Sequence, residues 1–146
     1  MDLVAVAELE AEPPAVFAAL ADLITYPHWL SIVGAAVPVL GTDAAWLVDL
    51  VARVGPIRRG KRVRMVRTGN DPVAGTVRFE RAELDGRSHN TWILTGSAIA
   101  GATGGTSVKV RLHYGGGRTL PGADRLLGQE MGRAGARLEA YLDARV

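Results

Sequence analysis

The last third of the chain combines a strictly alternating strand with one long amphipathic helix. From Thr106 to Tyr114, one face of the strand carries Val108, Val110, Leu112 and Tyr114, and the other carries Ser107, Lys109, Arg111 and His113. This period of two predicts a strand with one buried face. Apolar residues then recur at helical spacing over residues 123–144, which predicts a single helix with one apolar face.

Three glycines interrupt this helix, at Gly128, Gly132 and Gly135. Each glycine costs about 1 kcal/mol of helix stability relative to alanine. They lie on one stripe that flanks the apolar face. Either the helix approaches the sheet closely along this stripe, which we favour, or the missing side chains leave room for another molecule.

Upstream, the sequence predicts one more strand, two short helical segments and a series of strands. Alternation over residues 3–10 predicts the first strand, and Pro13-Pro14 predicts the start of a helix that runs to Asp22. Pro27 interrupts residues 23–30, which indicates two short helical turns. Further strands are predicted at residues 36–40, 44–54, 58–68, 76–84 and 90–99.

Length and composition indicate one domain over residues 1–146. No apolar run approaches the ~20 residues of a transmembrane helix, so we expect no membrane span. The first residues carry no basic stretch of the kind that opens a secretory signal. The chain has no cysteine for disulfides, thiolate metal sites or a thiol nucleophile. We therefore expect a cytoplasmic protein.

Cations are concentrated in the middle of the chain. No lysine or arginine precedes Arg53, and the stretch from there to residue 67 has no acid but carries Arg53, Arg58, Arg59, Lys61, Arg62, Arg64 and Arg67. Such a cluster is able to bind phosphate or nucleic acid. However, no aromatic residue interrupts it to stack on bases, so we expect no nucleic-acid partner. The preferred interpretation is a hairpin edge whose cations meet the acidic N-terminal segment and oppose edge-to-edge pairing.

Three short motifs accompany this order of elements. The first is Pro13-Pro14-Ala15-Val16-Phe17 followed by Asp22-Leu23 and Tyr26-Pro27-His28-Trp29. The second is Ala52-Arg53-Val54-Gly55-Pro56-Ile57, and the third is Phe79-Glu80-Arg81 followed by Asp85-Gly86-Arg87 and Trp92.

Over essentially its whole length the chain resembles the START-like superfamily, which includes polyketide cyclases and dehydrases, birch-pollen-allergen-like proteins and lipid-transfer domains. The second motif is similar to a hairpin in the carbon-monoxide-dehydrogenase branch of that superfamily, and the third to a polyketide-cyclase-like group. The resemblance implies an α+β helix-grip fold. In that fold a curved antiparallel sheet of about seven strands wraps around a long C-terminal helix, and two short helices follow the first strand.

The three histidines form no recognisable site in the sequence. His28 lies in the helix break beside Trp29, His89 lies in or next to a hairpin turn, and His113 falls on the polar face of its strand. No histidine or carboxylate spacing indicates a metal, and no phosphate loop, dinucleotide fingerprint or nucleophile elbow is present. We expect neither a metal nor a cofactor.

Two arginines are predicted to point towards the interior of the sheet. If Val63 and Met65 face inward, alternation carries Arg67 inward, and if Phe79 faces inward, so does Arg81. A buried guanidinium must be paired or lie in a wet cavity. It would then anchor the carboxylate, phenolate or enolate of a ligand. The alternative is that the strands end or twist there, so that both side chains reach solvent or Asp49 and Glu83.

The expected ligand contacts are the two arginines, five aromatic residues and one methionine: Trp29, Trp46, Arg67, Phe79, Arg81, Trp92, Tyr114 and Met131. Aromatic side chains supply the apolar walls that small-molecule pockets require, although each is also an ordinary core residue. We therefore expect binding of a small hydrophobic or amphipathic molecule, such as a lipid, polyketide or isoprenoid, between the sheet and the C-terminal helix.

Two other functions are left open. A cyclase-, aromatase- or dehydrase-like enzyme would place one of the two arginines within hydrogen-bond reach of Tyr114 or His28. A regulatory or toxin–antitoxin-type interaction module would use the basic hairpin as its contact surface. Leu47 and Val51, on the outer face of their strand, are consistent with a homodimer.

Overall fold

The computed structural model describes residues 2–42, 44–54, 56–115 and 123–145. Within these ranges the elements are, in chain order, β1 (Asp2–Leu9), α1 (Pro13–Leu20), a 3-10 helix (Leu23–His28), β2 (Val33–Pro38), β3 (Ala45–Val54), β4 (Ile57–Asp71), β5 (Thr76–Arg81), β6 (Trp92–Ala100), β7 (Thr106–Tyr114) and α2 (Ala123–Asp143). No helix in this part of the chain is long and apolar enough to cross a membrane.

The seven strands form one antiparallel sheet in the order β1-β7-β6-β5-β4-β3-β2. Strands β2 to β7 pair as successive hairpins, and β1 pairs with β7. The sheet curls into a half-barrel with α2 on its inner side, which confirms the predicted helix-grip fold. The inner, concave face carries the buried apolar residues Val63, Met65, Val77, Phe79, Leu94, Val108, Val110 and Leu112.

The helices cover the concave face from different sides. Helix α1 packs on β6 through Val16 and Leu20, the 3-10 helix packs on β2, and α2 packs on β1 and β3. Met131, Ala134 and Leu138 form the buried face of α2, as the helical spacing predicted. The side chain of Leu127, on the same predicted face, lies outside the described residues.

The three glycines of α2 do not share one explanation. A Cβ atom on Gly135 would lie 2.6 Å from the Cβ atom of Ala7, so close packing against β1 accounts for this glycine. The same atom on Gly128 or Gly132 would meet no described atom within 4 Å. Close packing is therefore confirmed for Gly135, and no described residue packs against the other two glycines.

The segment around Pro27 differs from the prediction of two helical turns. It forms one 3-10 helix over Leu23–His28 that includes Pro27. The fixed φ of proline falls within the 3-10 range, so the ring is tolerated there although it would break an α-helix. The side chain of Asp22 begins the helix by accepting a hydrogen bond from the backbone N–H of Ile24 at 3.1 Å.

Strand β4 runs further than predicted. The sequence placed a turn at residues 69–72, but β4 continues to Asp71 and pairs with β5 across a register shift between Arg67 and Gly69. The turn follows β4 instead. There Asp71 accepts a hydrogen bond from the N–H of Ala74, and Gly75 has a positive φ of 72° that favours glycine.

The basic hairpin projects as a two-stranded ribbon. Strand β3 pairs with β2 only as far as Leu50, and β4 pairs with β5 only from Met65 onwards, whereas β3 and β4 pair with each other out to Val54 and Ile57. Gly55, in its turn, lies outside the described residues. The cations therefore lie on a ribbon whose two edges pair with no other described strand. Charge at such edges opposes the addition of a strand from another molecule. Arg62 on this ribbon pairs with Asp49 at 2.8 Å.

Candidate functional site

One row of residues crosses the concave face near the ends of five strands. Trp46 on β3 pairs with Met65 on β4, Met65 pairs with Arg81 on β5, and Trp92 on β6 pairs with Tyr114 on β7. Because Glu80 pairs with Ile93, Arg81 lies beside Trp92. We call Trp46, Met65, Arg81, Trp92 and Tyr114 the aromatic row. It brings together four of the eight predicted ligand contacts.

The aromatic row is apolar at both ends and partly open at Trp92. The Trp92 and Tyr114 rings stack, with centroids 5.1 Å apart and planes at 17°. Trp46 packs edge-on against Phe79 at 5.6 Å. Trp46, Met65 and Tyr114 are buried, whereas Trp92 is half-buried. Part of Trp92 is therefore accessible.

Arg81 places a guanidinium inside this row. Its side chain is only 7% exposed, and its Nε donates to Oε1 of Glu83 at 3.0 Å. Nη1 donates to the carbonyl oxygen of Asn90 at 3.3 Å. The cost of burying the cation is offset by this ion pair and these hydrogen bonds. Arg81 thus points inward, as the alternation of β5 predicted. It also pairs with Glu83, the carboxylate that the sequence offered as an alternative partner.

The connection between β5 and β6 folds back so that His89 contacts the guanidinium of Arg81. The Nη2 of Arg81 lies 3.2 Å from Nδ1 of His89, and Nε2 of His89 lies 2.8 Å from Oδ1 of Asp85. Since a guanidinium only donates, Nδ1 accepts and Nε2–H donates to the carboxylate. This hydrogen bond lowers the pKa of Asp85. A cleft of about 190 Å³ lies here, bordered by Arg81, Glu83, His89 and Trp92 among others.

Glu83 links Arg81 of the aromatic row to the backbone of β4. Its Oε1 accepts hydrogen bonds from the backbone N–H of Arg64 at 3.0 Å and from Arg81. Burial acts to raise the pKa of Glu83, but the hydrogen bonds and the positive charge of Arg81 outweigh it, so this pKa lies below its ordinary value. Glu83 is therefore a carboxylate that holds Arg81 in place.

Arg67 also points inward, but it is held by protein groups. Its Nη1 donates to the carbonyl oxygen of Ala21, just after α1, at 2.8 Å. Its guanidinium lies 5.8 Å from the centre of the Trp46 ring. Asp49, which the sequence offered as an alternative partner, pairs with Arg62 instead. This arrangement ties the end of α1 to β4.

Trp29, Phe79 and Met131 lie deeper, with 1%, 0% and 1% of their surface exposed. Trp29 packs against Tyr26 at 4.3 Å, and Tyr26 packs edge-on against Phe79. Where α2 meets β1 and β7, Trp29 borders an apolar hollow of only about 10 Å³. That volume is no larger than one water molecule requires. This end of the fold is therefore filled by its own side chains.

The other two histidines lie away from the aromatic row. His28 stacks on Tyr141 of α2 at 5.1 Å, and His113 on the convex face lies 2.8 Å from a carboxylate oxygen of Asp2. Among the described residues no group of three or more histidine, aspartate or glutamate side chains is able to hold a metal ion.

Sequence reasoning missed Glu83 as an inward carboxylate, His89, and Lys61, a residue of β4 close enough to Arg81 and Glu83 for their charges to act on it. Lys61 has the same parity as Val63 and Met65, so alternation alone could have placed it on the concave face. His89 lies four residues after Asp85 in a connection without secondary structure, and no periodicity predicts its contact with Arg81.

The curved seven-stranded sheet, the two short helical segments after β1 and the long C-terminal helix define the START-like, helix-grip class of fold. No protein-family model matches the sequence, and no curated protein matches it. The class is therefore recognised from the three-dimensional structure.

Solved structures support this assignment. A Deinococcus radiodurans protein is 14% identical, with 100% of both chains covered and a TM-score of 0.73. A START superfamily protein from Mycobacterium smegmatis is 12% identical, with 99% of both chains covered and a TM-score of 0.72. The Zhui aromatase/cyclase from a Streptomyces species is 16% identical, with 99% of this chain and 85% of that chain covered and a TM-score of 0.56. At these identities the likeness concerns the fold.

Proposed function

We propose that this protein binds a small molecule with an apolar body, and that the molecule lies along the aromatic row. The observation that carries the proposal is the half-buried ring of Trp92, stacked on Tyr114 beside the buried guanidinium of Arg81. Small-molecule sites combine apolar and aromatic walls with a few polar groups in this way. The START superfamily protein and the aromatase/cyclase with the same fold support the proposal as structural neighbours.

The packed end of the fold supports a ligand position at the opposite end. Around Trp29 and Leu138 the hollow of about 10 Å³ leaves no room for an organic molecule. The open surface of Trp92 lies at the strand ends on the other side of Phe79. Each 100 Å² of apolar surface that a ligand covers there contributes roughly 2.5 kcal/mol. A ligand of modest size is therefore able to bind through this row alone.

Nile red, a neutral dye that fluoresces in apolar surroundings, tests this proposal. We expect saturable binding, weakened about tenfold (~1.4 kcal/mol) by Trp92→Ala. Val73→Ala is the control, because the side chain of Val73 is fully exposed in the turn after β4. No saturable binding of Nile red, together with native mass spectra free of any bound molecule, would contradict the proposal. The basic ribbon would then be the candidate functional surface.

An enzyme of the cyclase or dehydrase type is the second candidate, and the contact of His89 with Arg81 favours it. His89 rather than His28 is the histidine beside an inward arginine, and Asp85 orients its ring. A neutral imidazole in this setting is able to move a proton next to a cation that stabilises an enolate. A bound β-hydroxyacyl thioester would then lose water in the wild type but not in His89→Gln, and equal turnover in both would exclude this role.

A further inference from the structure

Lys61 lies on the concave side of the sheet, at the base of the basic ribbon. Strand β4 alternates without interruption from Ile57 to Val66, so Lys61 shares the face of Val63 and Met65, which are buried. Its cross-strand neighbour is Leu50, which packs against the core. Lys61 is exposed, and its side chain extends from beside Leu50 at the edge of the concave face.

The charges that face Lys61 come from β5 and from the connection after it. Burial, followed by the positive charge of Arg81, lowers the pKa of Lys61, and the negative charge of Glu83 only partly compensates. Glu83 is already bound to Arg81 and to the backbone of Arg64. Asp85 faces His89. Within the described ranges, no carboxylate forms an ion pair with Lys61.

Lys61 therefore carries a positive charge with no ion pair among the described residues, since Glu83 is bound to Arg81. We propose that the ligand is amphipathic and carries a single carboxylate, which Lys61 receives beside Arg81 while the apolar chain lies along the aromatic row. This inference rests on the proposed function and names the chemistry of its ligand. One carboxylate matches the charge of Lys61, and the apolar part of the ligand matches Leu50, Met65 and Trp92.

A rival site for an anion lies on the convex face of the same ribbon. There Arg58, Gly60 and Arg62 border an outer cleft of about 450 Å³ with Asp49, and Lys61 also lines this cleft. In that cleft Arg62 is already paired with Asp49, and nothing described on that side offers an aromatic wall. Arg58 belongs to the outer cleft and not to the concave site. Substitution of Arg58 therefore distinguishes binding in the outer cleft from binding on the concave face.

The test is displacement of Nile red by dodecanoate and by dodecanol, which differ only in the head group. We expect the wild type at pH 7 to prefer dodecanoate about tenfold or more, the value of one charge-assisted hydrogen bond. Lys61→Met abolishes this preference by weakening dodecanoate alone, and Lys61→Arg retains it. Lys109→Met, the same change at an exposed lysine on the convex face of β7, leaves it unchanged.

Each other outcome is decisive. One is that Nile red binds while dodecanoate and dodecanol displace it from the wild type with equal affinity, or while neither displaces it. In either case the carboxylate inference is wrong and the proposed function stands. If Arg58→Met removes the preference, whether or not Lys61→Met does, the anion binds in the outer cleft and the inference is also wrong. If Nile red itself does not bind, the proposed function fails and the inference fails with it.

Discussion

Gly135 of α2 and Ala7 of β1 lie so close together that no side chain fits between them. A Cβ atom on Gly135 would be 2.6 Å from the Cβ atom of Ala7. This contact seats the C-terminal half of α2 directly on the edge strand, beside the small hollow around Leu138. The described residues of the sheet and the helix are thus in close contact at this end.

The first prediction follows from this contact. Gly135→Ala pushes α2 away from β1 and lowers the free energy of unfolding by about 1–3 kcal/mol, as overpacking of a close interface does. Gly132→Ala is the matched control. A Cβ atom there would meet no described atom within 4 Å, so this change should raise the free energy of unfolding by up to about 1 kcal/mol through helix propensity. Urea unfolding measures both, and equal effects of the two changes would contradict the packing explanation.

Tyr26 supplies the second prediction. Its hydroxyl is fully buried and donates to the carbonyl oxygen of Leu20 at 2.7 Å. Tyr26→Phe leaves this acceptor without its partner, so the free energy of unfolding should fall by about 1–3 kcal/mol. Urea unfolding at pH 7 tests this value. An unchanged midpoint would show that the hydrogen bond contributes nothing.

The same residue predicts a pH dependence. Burial, and to a lesser extent the negative charge of Asp22, raises the pKa of Tyr26 far above its ordinary value of 10.0. Above about pH 10 the unfolded chain loses this proton and the folded chain keeps it, so stability falls as the pH rises, by up to about 1.4 kcal/mol per unit. Unfolding between pH 9 and 11 should show a shallower decline for Tyr26→Phe. Parallel curves would contradict the prediction.

Arg67 is expected to stabilise the fold by joining β4 to the end of α1. Arg67→Met removes its hydrogen bond to Ala21 and should cost about 1.5 kcal/mol of unfolding free energy while Nile red still binds. Arg78→Met, at an exposed arginine on the convex face, should change little. A stable Arg67→Met variant that loses dye binding would instead make Arg67 a ligand contact.

The sequence specified the elements whose patterns are local and strong. The alternation of β7 predicted its bounds of Thr106 and Tyr114, and the apolar stripe predicted α2 to within one residue at its C-terminal end. Strand β2 was less accurately predicted, because it begins at Val33 rather than residue 36 and includes Gly34, a residue type that seldom favours a strand. The β4–β5 turn was misplaced because a register shift, which has no sequence signature, carries β4 beyond Gly69.

The site was predictable only in part, for a related reason. Alternation placed Arg67 and Arg81 on the concave face, but it does not reveal which partner holds an inward arginine. The carbonyl oxygen of Ala21 is 46 residues from Arg67 in the sequence and reaches it only through the packing of α1. His89 reaches Arg81 through the fold of an irregular connection. Contacts of this kind arise from tertiary structure, so the periodicity of the sequence does not predict them.

The most direct test of the proposed binding site uses the three tryptophans as reporters. With 5-fluorotryptophan in place of tryptophan, fluorine NMR gives one resonance each for Trp29, Trp46 and Trp92, assigned by single Trp→Phe variants. Saturation with Nile red should shift the resonances of Trp92 and Trp46 and leave that of Trp29, at the filled end, in place. If no resonance shifts, or if Trp29 alone responds, the aromatic row is not the ligand site.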